Sequence, residues 1–119
     1  MATFSKLILS GSTDGRAIKV AATATAGTLI HTGSATATTI DEVWLYAYNS
    51  SGSAVVLTIQ WGGTTSVDDD IKLSIPATSG LTLVVPGLLI KGNATPLVVR
   101  AYAATTNVVT VSGYVNRIA

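Results

Sequence analysis

The chain has 119 residues, a net charge of +1, only 11% charged side chains and 48% AVILMFWYC residues. It is long enough for one domain with a real core, and its solvent-facing surface must be built from Thr, Ser, Ala and Gly or be covered by something else. Its seven Lys and Arg run scattered from Lys6 to Arg117, which leaves no basic stripe for nucleic acid. The absence of Cys excludes disulfides and thiol chemistry.

Helical periodicity is absent, and Thr, Val and Ile follow period two, so the chain reads as all-β. The first predicted strand is Phe4 to Leu9, followed by a turn at Asp14-Gly15 and a second strand from Arg16 to Ala22. The small-residue segment 21 to 39 contains a short strand, Thr28 to Thr32, and is compatible either with fixed structure or with an arm that orders on binding. No run reaches the length of a membrane span, and "MATFSKLILSGS" lacks the apolar region of a signal peptide.

The strongest pattern is "EVWLYAYNSSGSAVVLTIQW", residues 42 to 61. Ile40 to Asn49 and Ala54 to Trp61 alternate on either side of "SSGS" and read as a hairpin. Val43, Leu45, Leu57, Ile59 and Trp61 are assigned to the core. Trp44, Tyr46 and Tyr48 then share the opposite face, where three readings compete: inter-sheet packing, a contact with another protein, or a platform for stacking sugars.

Ile71 to Ile75 reads as a half-buried strand after the loop "GGTTSVDDD". Leu81, Leu83 and Val85 alternate up to Pro86, with Pro76 and Pro86 placed at strand ends. Leu88 to Lys91, Leu97 to Ala103 and Val108 to Ile118 complete nine or ten short strands, the rhythm of a single antiparallel β-sandwich or jelly roll over residues 1–119.

No catalytic constellation emerges. His31 is the sole histidine and reads as an ordinary strand-edge residue. Asp68-Asp69-Asp70 offers oxygen ligands but lacks EF-hand spacing, and reads as a solvated loop. Asp41-Glu42 reads as a charged gatekeeper before a buried strand. The glycine-rich pieces "WGG" and "PGLLIKGN" lack the context of a phosphate cradle. The expectations are therefore no enzyme, no cofactor, no metal, no nucleic acid and no membrane.

The segments "KLILSGSTDGRAIKVAATATAGTLIHT", "DEVWLYAYNSSGSAVVLTIQWGG" and "IPATSGLTLVVPGLLIKG" resemble small structural proteins of tailed-bacteriophage virions, above all capsid decoration or cement proteins. The resemblance implies a dimer or trimer on the outer capsid surface, made in the host cytoplasm, with the major capsid protein as partner and neighbouring coat subunits clamped together. A tail, fibre or head-tail joining component is the alternative within the virion. A carbohydrate-binding module using Trp44, Tyr46 and Tyr48 is the alternative from another class.

Overall fold

A computed structural model describes residues 2–119 and contains nine strands in two antiparallel sheets, with no helix among the described residues. The strands are β1 (Phe4–Ile8), β2 (Ile18–Lys19), β3 (Thr28–Thr32), β4 (Ile40–Asn49), β5 (Val55–Trp61), β6 (Asp70–Ile75), β7 (Thr82–Lys91), β8 (Val98–Ala103) and β9 (Val109–Ile118). One sheet runs β1-β9-β4-β7, with β2 also paired to β9; the other runs β3-β8-β5-β6. The all-β sandwich architecture expected from the strand rhythm is what the chain adopts.

The core lies between the sheets. Val43, Leu45 and Ala47 of β4, Leu57 and Ile59 of β5, Val99, Ala101 and Ala103 of β8, and Val109, Val111 and Val115 of β9 are fully buried. Each buried Leu or Ile contributes about 1.5–3 kcal/mol. Trp61, also assigned to the core, is half-buried and packs against its margin.

The pair β4 and β5 is not a hairpin. β4 is hydrogen-bonded between β9 and β7, β5 between β8 and β6, so residues 50–54 carry the chain from one sheet to the other. Hairpins and sheet-to-sheet arches share the same alternation, so the sequence pattern does not separate them. Asn49 holds the arch: its buried Nδ2 donates to the carbonyls of Ser53 (2.8 Å) and Ile75 (3.0 Å), while its Oδ1 accepts from the Ser51 N–H and hydroxyl. A polar side chain bonded to both sides of the connection replaces the ladder that a hairpin would have continued.

Two further expectations are corrected. The second strand shrinks to Ile18–Lys19, because β1 already occupies the far end of the same edge of β9. Leu81 to Val85 and Leu88 to Lys91 are a single strand, β7, which passes through Pro86 and leaves Leu81 and Leu83 exposed while Val84 and Val85 are buried. Pro86 is tolerated because β7 is an edge strand with two register shifts against β4, the places in a sheet where a missing N–H costs least.

Segment 21–27 lies against the outer surface of the second sheet. The Gly27 N–H donates to Gln60 Oε1 (2.8 Å), Gln60 Nε2 donates to Thr25 Oγ1 (2.8 Å), and the Ala103 N–H donates to the Ala22 carbonyl. Gln60 is thereby buried on a face that would otherwise be wet. Asp69 and Asp70 likewise serve their own loop, accepting from the Thr65 N–H and the Ser66 hydroxyl.

Candidate protein-contact face and the buried polar brace

Side chains on the outer face of the first sheet come from alternate residues of β1, β9 and β4. The register sets them in rows: Phe4, Ile118, Ile40; Lys6, Asn116, Glu42; Ile8, Tyr114, Trp44. Further along, Thr110 of β9 separates Lys19 of β2 from Tyr48, and Ser112 lies beside Tyr46. Trp44, Tyr46 and Tyr48 are half-buried and point away from the inter-sheet core, which their neighbours Val43, Leu45 and Ala47 fill. The inter-sheet reading of the aromatic stripe is therefore wrong, since in a two-layer sandwich a central strand has only one face in the core.

The Trp44 ring stacks on Tyr114, with centroids 6.3 Å apart and planes at 11°. On its other flank β7 brings in Gly87, at φ +77°, where a Cβ would sit 2.8 Å from the indole. Lys6 Nζ lies 5.0 Å from the Tyr114 centroid. Tyr114 of β9 and Gly87 of β7 thus flank the indole, and Lys6 reaches over the Tyr114 ring from the neighbouring row. That arrangement counts against a sugar ring stacking on Trp44.

Glu42 Oε1 accepts from Trp44 Nε1 (2.8 Å) and Asn116 Nδ2 (2.9 Å). These bonds, that of Trp44 foremost, hold its carboxyl below the ordinary glutamate range against a smaller opposing effect of burial. Glu42 and Asn116, with Phe4, Ser5, Lys6 and Ile118, line a shallow depression at one end of the face. Asn116 and Lys6 reach the aromatic stripe only through the register of β9 and β1.

Six of the nine large hydrophobic residues exposed among the described residues, Phe4, Ile8, Leu81, Leu83, Leu88 and Leu89, lie on or next to β1 and β7, the two edges of this sheet. The concentration decides which surface is the candidate: isolated exposed apolar residues are normal, and an aromatic stripe with exposed apolar residues along both edges of its sheet is not.

The acidic pair before the buried strand divides its roles. Asp41 is buried on the inner side of β4 and accepts from Arg117 Nε (2.7 Å), Arg117 Nη2 (2.8 Å) and His31 Nε2 (2.9 Å). Asp41 is not a gatekeeper; it links β9 of one sheet to β3 of the other. Burial raises its pKa, but the hydrogen bonds and charge of Arg117, together with the bond from His31, outweigh that and hold the carboxyl below its ordinary value.

His31 does lie on an edge strand, yet it is only 2% exposed. The Ser10 backbone N–H donates to its Nδ1 (3.2 Å), so Nδ1 carries no proton and the Nε2 proton faces Asp41. The Ser10 hydroxyl instead accepts from the Thr32 N–H (2.6 Å). Serine, histidine and aspartate therefore meet here, but the imidazole has no hydroxyl to activate and little access to solvent. What the cluster can do is brace two sheets.

Comparison with protein-family models, curated proteins and solved structures returns no match for this chain.

Proposed function

We propose that this chain is a non-enzymatic structural protein of a tailed-phage virion, a decoration or cement protein that stabilises the capsid by bridging neighbouring coat subunits. The observation that carries the reading is the outer face of the β1-β9-β4-β7 sheet, where the Tyr114-Trp44 stack is flanked by exposed apolar residues on both sheet edges. A chain with only 11% charged residues has little charge to spread over its surface, and it commits part of that charge to defined contacts, Arg117-Asp41 inside and Glu42 on this face. Such a surface suits a protein held between other proteins, and many weak contacts on a repeating shell sum to a large collective stabilisation.

The test is binding of purified protein to empty phage capsids, followed by the temperature at which those capsids rupture. The reading expects saturable binding and a raised rupture temperature, both lost in Trp44→Ala. No binding to capsids, or a particle map with only a few copies at the tail, overturns it; the second result would favour a tail, fibre or joining component. Glycan-array binding abolished by Trp44→Ala with unchanged association behaviour would instead establish the sugar-binding alternative.

A further inference from the structure

We propose that the outer face of the β1-β9-β4-β7 sheet pairs with the same face of a second copy about a two-fold axis running along β9. The inference rests on reading this face as a protein contact and names the occupant.

It follows from the register. Four of the five rows on the face have a β1 or β2 residue on one side of β9 and a β4 residue on the other; the Ser112 row has only Tyr46 of β4. A two-fold along β9 keeps every row in place and exchanges its two ends. Phe4 then meets Ile40 of the second copy, Lys6 meets Glu42, Ile8 meets Trp44, and Lys19 meets Tyr48, with each contact made twice. Apolar residues fall on apolar or aromatic ones, and charges fall on opposite charges or on a ring. An interface of this symmetry must be self-complementary in this way.

Within one copy, Lys6 and Glu42 stand on opposite sides of Asn116, and neither joins an ion pair among the described residues. The carboxylate is already oriented by Trp44 and Asn116, so little side-chain freedom is lost when a cation arrives. Two other axes are worse. An axis along β4 sets Glu42 against its own copy, and one crossing the strands through this row sets Lys6 against Lys6 and Glu42 against Glu42. Like charges placed face to face are costly.

The face has the size for it. Ten residues of β9 at about 3.4 Å each, by three strands about 4.8 Å apart, give roughly 500 Å² per copy and on the order of 1,000 Å² in total. That is the lower end for a specific interface, so the dimer is of moderate affinity. Aligned strands in the facing sheets are the ordinary geometry of sheet-on-sheet packing. A two-fold dimer also carries two identical remaining surfaces, which is what bridging neighbouring coat subunits requires.

The test uses charge reversal read by sedimentation equilibrium. Wild-type protein dimerises, and Lys6→Glu and Glu42→Lys each weaken self-association by at least about tenfold, since each sets two like-charged pairs across the axis. Mixed in equal amounts, the two variants form a heterodimer near wild-type affinity, because both cross-axis pairs are then opposite in sign. A purely structural defect in either variant does not produce that rescue. As a second measurement that leaves Glu42 intact, Ser112→Cys on the axis cross-links to itself with a short bis-maleimide, while Ser74→Cys on the other sheet does not; the chain contains no competing cysteine. A wild-type monomer at all concentrations, absence of the Ser112→Cys cross-link, or folded variants that fail to rescue each other overturns the two-fold. Particle binding by a protein that stays monomeric refutes the dimer and keeps the virion reading; a dimer that binds no particle does the reverse.

Discussion

Replacing Asp41 with Asn isolates the electrostatic brace between the sheets. The carboxylate accepts three N–H groups, two from Arg117 and one from His31, and its side chain is 0% exposed. Asn offers one carbonyl oxygen and turns an NH₂ toward at least one of those donors. Breaking a buried pair by neutralising one partner costs about 3–5 kcal/mol. Arg117, 28% exposed, regains some water, which favours the lower end. For 119 residues the unfolding entropy is about 0.25 kcal/mol/K, so ~3 kcal/mol lowers Tm by about 12 °C at pH 7.

The pH dependence gives a second reading of the same variant. Asp41 has a folded pKa below its unfolded value, so its contribution is fully present above the ordinary carboxylate range, around pH 4. It is lost as pH falls through the lowered folded value. The difference in Tm between wild type and Asp41→Asn, followed by circular dichroism from pH 7 to pH 2.5, therefore shrinks on the acid side. A variant within about 1 °C of wild type at pH 7, or a difference that stays constant into acid, refutes the reasoning.

Three further outcomes are expected. His31→Leu leaves the Ser10 N–H and one Asp41 acceptor site without a partner, at about 1–3 kcal/mol each, so thermal melting shows a drop of at least about 4 °C; a neutral result would mean that water enters the site and restores both bonds. Gly87→Ala combines φ +77° with a Cβ driven into the indole, so Trp44 is displaced, stability falls by about 1–3 kcal/mol and the tryptophan emission shifts to the red; unchanged emission argues against the packing described. Gln60→Leu removes the acceptor of the Gly27 N–H and the donor to Thr25, so amide exchange over residues 22–27 accelerates by about tenfold relative to β5, and equal protection in both proteins refutes the role given to Gln60.

Much of the fold was legible because alternation is a local property. The buried set Val43, Leu45, Leu57 and Ile59 and the positions of β3, β4, β5 and β6 follow from period two and flanking turn residues. The failures share a cause. Residues 42 to 61 carry the pattern of a hairpin, and nothing local distinguishes strands adjacent in one sheet from strands facing each other across two. Asp41 looks like a gatekeeper in the sequence because its partners, Arg117 and His31, reach it only through the pairing of β9 and the packing of β3 in the other sheet. The alternation of Leu81, Leu83 and Val85 does not reveal that one strand continues through Pro86 to Lys91, because the bulges in β7 that shift the alternation leave no unambiguous sequence mark.

By itself, then, the sequence determined an all-β chain, the inward face of its central strands and an aromatic stripe at Trp44, Tyr46 and Tyr48 on the opposite face. These depend on side-chain spacing along one strand. Only the tertiary structure decided that the stripe faces outward, that Tyr114, Lys6 and Asn116 join it, and that His31 and Asp41 meet in the core. Those facts depend on which strands pair and in what register, a choice made by the packing of the whole chain.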